Sequence, residues 1–309
     1  MSWSARLRNE ETLPRLHGLG VRMVGLTVGS DRTPGPAAAL AEIDAIDALV
    51  QGDGRYLLAG TAQDIQRAIA EGKLALELNF QGIGPLGGDL GQIAAFAERG
   101  LRHMGLCWNW ANEAGGSATE NHDDGLTRFG REAIREMERV GVLVDGAHAG
   151  QRTMMESIDA SRRPFIVSHT NCFSVTRARC NVSDEQIRAC AATGGVLGMT
   201  GFGNDIGDPM AGSEALFRHI DHVAQLVGVA HVALGLDFVA QPQVFWDMVQ
   251  ASPQTWPDME GKPQPRCRFH AHEQLGELVP IMRRAGYTDE HMAAVMGGNW
   301  LRLFREVWK

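Results

Sequence analysis

No run in this 309-residue chain approaches 18 consecutive apolar residues, so no membrane-spanning helix is expected. It also lacks a basic stripe. The 29 Lys and Arg residues are interleaved with 37 Asp and Glu residues, which argues against nucleic acid as a partner. The net charge of −8 is read as a solubility feature. No C-x-x-C occurs. The five cysteines (Cys107, Cys172, Cys180, Cys190 and Cys267) are odd in number and scattered, as expected of reduced thiols in a cytoplasmic protein. The N-terminal "MSWSARLRNEETLPRL" has no apolar stretch and does not read as a secretory leader. Internal repeats, low-complexity tracts and linkers are missing too, so residues 1–309 are read as a single domain.

What the chain does contain is short apolar runs alternating with amphipathic helical patterns. Strands are expected at 21–29, 74–82, 103–109, 142–148, 165–171, 195–203 and 231–238. Their apolarity is continuous rather than alternating, which suits parallel strands covered on both faces. The helices between them are punctuated. "TAQDIQRAIAEGK" starts at Thr61, turns Ile65, Ala68 and Ile69 to one face and stops at Gly72. "SDEQIRACAATGG" carries a capping box, Ser183 with Gln186, and ends at Gly194. "TRFGREAIREMERVG" turns Ile134 and Met137 inward and ends at Gly141. Two more helices are expected after residue 271. Repeated strand–helix units predict a parallel α/β fold. The proline-rich stretch 251–269 reads as an excursion over the mouth of the fold, or a mobile loop.

Parallel α/β folds build their sites at the C-terminal ends of strands. The polar residues ending the expected strands are Gln81, Asn109, His148, His169 and Asp237, a set that packing alone explains badly. Two imidazoles on neighbouring strands can reach one metal ion, typically zinc. Asp237 can then accept a proton from the attacking water and hand it to a leaving group. Gln81 is a neutral, poor third ligand. "GIGPLGG" matches G-x-G-x-x-G through Gly82, Gly84 and Gly87. Its position after an apolar run that is not the first, and Pro85 within it, favour a tight turn beside the pocket over a dinucleotide site. His270 and His272 are read as loop histidines, His219 and His222 as a polar helix face, and Cys172 and Cys180 as inert thiols.

These residues, with "GKLALELNFQGIGPLGGDLGQIAAFAERGLRHMGLCWNWAN", "DGLTRFGREAIREMERVGVLVDGAHAG", "RPFIVSHTNC", "CNVSDEQIRACAATGGVLG", "HVALGLDF" and "MGGNWLRLFREVW", carry a resemblance from about residue 20 onward. The chain resembles the membrane (renal) dipeptidase family of zinc peptidases. The resemblance implies an α/β fold of the (β/α)8 TIM-type barrel, a two-metal site and hydrolysis of dipeptides, often with a D-residue on the C-terminal side. It makes His148 and His169 ligands of one zinc and Asp237 the proton shuttle. It also implies a homodimer. The sequence departs from the family pattern. No H-x-D ends a first strand, so the first strand is missing or lies upstream of Met1. Gln81 replaces a bridging glutamate, Trp108 a histidine that contacts substrate, and Cys180 an arginine that binds the substrate carboxylate, with Arg179 adjacent. One zinc ion at most, or none, is therefore expected. Asn109 and Arg179 are expected to hold a small peptide-like substrate. The alternative is a non-hydrolytic, metal-poor relative that binds an amino-acid-like ligand or serves as a partner subunit.

Overall fold

Each expected apolar run contributes a strand to one parallel sheet in the computed structural model, which describes residues 11–308. The strands are β1 (Met23–Ser30), β2 (Tyr56–Leu58), β3 (Leu74–Gln81), β4 (Leu101–Gly105), β5 (Leu143–Asp145), β6 (Ile166–Thr170), β7 (Val196–Met199) and β8 (Val232–Leu234). The order is β1-β3-β4-β5-β6-β7-β8, every pair is parallel, and helices cover the outer face. This is the TIM-type α/β architecture. Among the described residues β8 does not pair with β1, so the sheet curls without closing.

β2 was not expected. Its three residues are too short to show a pattern, and they become a strand only by pairing with Leu74–Leu76. Ala75 and Leu76 also pair with β1, so β1 and β2 occupy opposite edges of β3. β4 takes over β2's edge from Leu78 onward. Most strands are shorter than the apolar runs that announced them. Asn109, His148 and Asp237 consequently lie in loops three or four residues beyond β4, β5 and β8, whereas Gln81 ends β3 and His169 sits within β6.

The helix signals act as read. Thr61 caps Ala62–Ala70 through a reciprocal bond with Asp64, and Ser183 does the same with Gln186 for Asp184–Ala192. Gly141 ends Arg128–Val140 in the left-handed conformation, φ 82°. Ile69 differs from its expected place: Ile65 and Ala68 are buried, but Ile69 is 44% exposed. It lies about 40° further round than Ile65, at the last turn, where the sheet no longer covers the helix. The chain end forms three pieces rather than two helices. Asp289–Ala293 and Asn299–Val307 are joined by a wide turn in which Gly297 has φ 150°.

The final helix decides which end of the sheet is open. Leu303, Phe304, Val307 and Trp308 pack against Ala75, Leu143, Ile166, Val196 and Ala233, residues at the starts of their strands. Each large side chain buried there contributes on the order of 2 kcal/mol. The N-terminal ends of the strands are thereby plugged. Along β3, Leu76, Leu78 and Phe80 join the main apolar core, while the alternating Glu77, Asn79 and Gln81 face the other way. A buried polar ladder results. Thr27 donates to Asn79 (2.9 Å), Asn79 to Glu77 (3.3 Å), and His103 Nδ1 lies 2.9 Å from Glu77. Burial disfavours charge on His103, but Glu77 and then Asp145 prevail and hold its pKa above the ordinary value.

Candidate functional site

At the opposite end of the sheet, Gln81, Trp108, Asn109, His148, His169, Arg179 and Asp237 all line one pocket. Its empty space is about 730 Å³, part of it continuous with solvent. The seven residues named from the sequence thus come together, although they span more than half the chain. The excursion at 251–269 supplies Trp256, Pro257, Gln264 and Phe269, so it does cover the mouth.

The two histidines meet through their Nε2 atoms, 2.8 Å apart. A chain of hydrogen bonds behind them sets the tautomer of His169. Asp145 accepts from the backbone N–H groups of Ala147 (3.0 Å) and Ser168 (2.8 Å), and from the Ser168 hydroxyl. With its proton turned to Asp145, Ser168 Oγ is left to accept from His169 Nδ1, 2.8 Å away. His169 Nε2 therefore presents a lone pair to the pocket. Burial, and then the neighbouring His169, push His148 down to about 3, so this imidazole stays neutral. His148 has φ 64° and Asp237 φ 49°. Left-handed backbone at two non-glycine residues of one pocket is strain of the kind found at functional sites.

The resemblance implies zinc, and the donor set tests it. Two convergent Nε2 atoms, the lone pair of one fixed from behind by a serine–carboxylate pair, fit a single ion. Gln81 is uncharged, and among the described residues no group of three or more His, Cys, Asp or Glu could hold a metal.

Arg179 lines the pocket but is already engaged. It donates to the carbonyls of Asp258 (2.5 Å) and Thr119 (3.0 Å) and to Asn121 Oδ1 (3.2 Å). It thereby ties the 109–127 loop to the excursion. Trp108 meets Trp110, Trp256 and His148 edge-on. Phe202, Phe245 and Phe269 continue the apolar wall. Two amides in the pocket are buried without partners. Asn109, 2% exposed, has neither amide atom satisfied, and Gln81, 4% exposed, has a free Nε2. Polar atoms kept so are costly unless a ligand meets them.

Other expectations resolve structurally. The turn at 82–84 is no phosphate cradle, because Asp31 fills it. Its carboxylate accepts from Ile83 N (2.8 Å), Gly84 N (3.1 Å), Trp108 N (2.7 Å) and Asn112. A Cβ on Gly82 would lie 2.3 Å from that carboxylate, so glycine is required there. His219 is not on a polar face but is a fully buried core residue. It accepts from Cys172 N (3.0 Å) and donates to the Ile206 carbonyl (3.0 Å). His222 pairs with Asp184 instead. His270 and His272 stand outside the pocket lining. Cys172 is buried and its thiol is pushed up to about 12 by burial, whereas Cys180 reaches the pocket. Replacing Asp31 by alanine is expected to strand three backbone donors and cost about 3 kcal/mol or more, measurable by urea unfolding.

Sequence reasoning missed Asp31, Asp145, Ser168 and Asp205. Asp205 belongs to the turn Gly203–Ile206 after β7 and lines the pocket with Asp237. Burial, and then Asp237, raise its carboxyl to about 7. A carboxyl whose folded pKa exceeds its unfolded one favours folding below the unfolded value and loses that advantage as pH rises through the folded value. Asp205→Asn is therefore expected to stabilise the protein at pH 8, by about 4 kcal/mol at most, and hardly at all at pH 4. Calorimetric melting at both pH values checks this.

Known proteins agree with this architecture. The profile of membrane dipeptidase (peptidase family M19) matches residues 28–255. An uncharacterised protein from the pqqA 5′ region of Klebsiella pneumoniae is 28% identical over 271 residues, covering 83% of this chain and 90% of that protein. An uncharacterised dipeptidase of Schizosaccharomyces pombe is 30% identical over 245 residues. That alignment covers 77% of this chain and 53% of the longer relative, about half its length. Among solved structures, an amidohydrolase from Pseudomonas aeruginosa superposes with a TM-score of 0.87 at 24% identity, covering 97% of this chain and 93% of that one. A metallopeptidase from Rhodobacter sphaeroides, liganded with a phosphinate mimic of the dipeptide L-Ala-D-Ala, superposes with a TM-score of 0.78 at 22% identity, covering 96% and 90%. No helix among the described residues is long and apolar enough to cross a membrane. The chain belongs to the membrane dipeptidase family, peptidase family M19, a family of hydrolases.

Proposed function

We propose that this protein hydrolyses a dipeptide or a related small amide, using at most one metal ion, zinc by its nitrogen ligands. The observation that carries this reading is the meeting of His148, His169 and Asp237 in one pocket with two unpartnered amides. His148 and His169 would hold the ion through their Nε2 atoms. Metal at that point supplies electrophilic polarisation of the scissile carbonyl and of the attacking water. The protein's own residues do the rest. Asp237 takes the proton from the water and returns it to the leaving amine. Asn109, with both amide atoms unsatisfied, is set to donate to the substrate carbonyl and accept from its amide N–H. Trp108 and Trp256 exclude water from the reacting atoms.

The ligand of the Rhodobacter sphaeroides structure makes L-Ala-D-Ala a natural first substrate. Elemental analysis of the purified protein, beside a dipeptide panel that includes L-Ala-D-Ala with and without added zinc, tests the reading. We expect no more than one metal per chain, and cleavage that follows metal content. A protein without metal that cleaves nothing when zinc is supplied would instead support the binding-only alternative, which Gln81 at the bridging position favours.

A further inference from the structure

A second cleft lies at the end of the sheet away from the His148–His169 pocket. Arg135, Arg139, Arg162 and Arg163 line it, together with Glu138, Pro164 and Glu306. Its empty space is about 1110 Å³, part of it open to solvent. Four arginines against two glutamates give this lining a charge of +2, in a chain whose net charge is −8. The fold sets its place. Pro164 stands two residues before β6 begins, and Glu306 belongs to the helix Asn299–Val307 that plugs the strand starts.

The arginines are positioned by two elements held against each other. Arg135 and Arg139 are four residues apart in the helix Arg128–Val140, so they share one face, where like charges repel. Arg162 and Arg163 come from the turn that leads into β6. Their backbone N–H groups both donate to Glu138 Oε1, at 2.6 and 3.0 Å. Glu138 thus clamps the Arg-Arg turn to the helix through the main chain and leaves both guanidiniums unspent. Arg139 is held by Glu136 (2.7 Å). Among the described residues, the side chains of Arg135, Arg162 and Arg163 have no ion pair and no hydrogen bond. Three unengaged guanidiniums therefore line one space, one from the helix and two from the turn.

An arginine fork meets an anionic group with two parallel N–H bonds. A carboxylate offers one edge to one fork, whereas a phosphate group has three oxygens and takes forks from two sides. We propose that this cleft binds a small molecule carrying a diphosphate group, held by Arg135 on one side and by Arg162 and Arg163 on the other. The ligand is distinct from the substrate of the proposed hydrolysis, because the cleft and the pocket lie at opposite ends of the sheet. The inference stands without that hydrolysis.

The test is calorimetric titration of the intact protein with inorganic diphosphate, orthophosphate and citrate at one ionic strength. We expect diphosphate to bind at least about tenfold tighter than either of the others, since it alone brings two phosphate groups to the three forks. Arg135→Gln combined with Arg163→Gln should weaken diphosphate binding at least about tenfold, and neither side chain is buried, so the fold should hold. A second pair of variants separates a built site from a patch of charge. Glu138→Gln and Glu138→Ala both remove the negative charge, but only alanine removes the acceptor that clamps the turn. The alanine variant should bind diphosphate at least about threefold more weakly than the glutamine variant, because the turn must then be ordered on binding. Amide hydrolysis should be unchanged in all of these variants, so the two readings fail separately. No binding of diphosphate by the parent protein, citrate binding as tightly, equal binding by the two Glu138 variants, or binding that survives the double arginine substitution overturns the inference.

Discussion

Replacing His148 by asparagine and His169 by alanine is expected to remove bound metal entirely and to lower amide hydrolysis by about 10³-fold or more, the loss that follows when several kcal/mol of transition-state stabilisation disappear. Asparagine is chosen at position 148 because the backbone there has φ 64°, which asparagine tolerates and most other side chains do not. The fold should survive. Asp145 keeps its bonds from Ala147 N and Ser168 N, which tie β5 to β6 without help from either imidazole. Elemental analysis and circular dichroism of the same preparation separate loss of metal from loss of structure. Two metal equivalents in the parent protein, or metal retained in the double variant, would show the ligand set to be wrong. A milder version of the experiment is Ser168→Ala. It removes the acceptor that fixes the His169 tautomer, and it should weaken metal affinity by about 10- to 100-fold while leaving both imidazoles in place.

Asp237→Asn is expected to lower kcat by about 10²- to 10⁴-fold with metal content unchanged, because the variant keeps the side chain's shape and loses its ability to accept a proton. Here too the backbone permits the substitution. Asp237 has φ 49°, a conformation that asparagine adopts readily, so a loss of activity cannot be assigned to strain. Single-turnover measurements locate the effect: chemistry should slow, and KM should change far less than kcat. If kcat falls less than about threefold, Asp237 is not the proton carrier.

The parts of this site that were legible in the sequence share one property. Gln81, His148, His169 and Asp237 each follow or end an apolar run, so the hydrophobic pattern points at them. Parallel strands then place all such positions at one end of the sheet, whatever lies between them. Asp205 was missed because "GFGNDIGD" is a short glycine-rich turn, and nothing local distinguishes its buried aspartate from the less buried Asp208. Its raised carboxyl depends on Asp237, which another element brings near. Ser168 and Asp145 were missed for a similar reason. Each reads as a polar interruption of a strand until the pairing of β5 with β6 places one beside the other. Asp31 was passed over, yet it explains why "GIGPLGG" opens on a glycine: Gly82 makes room for the carboxylate, which accepts from Ile83 N, 52 residues further along the chain.

By itself, the sequence determined the alternation of strand and helix, the caps at Thr61, Ser183 and Gly141, and the polar residues carried to the strand ends. These depend on local periodicity, steric preference and hydrogen bonding within a few residues. Only the tertiary structure decided that β2 is a strand, that the last helix closes the lower end of the sheet, and that His148 and His169 face each other at 2.8 Å behind a serine–carboxylate pair. It also decided that Arg179 ties loops together and that Asp205, among the described residues, has no ion pair. Each of these is a relation between segments distant in the chain. It is set by how the strands pair and which side chains exclude water from one another, and no window of the sequence contains both partners.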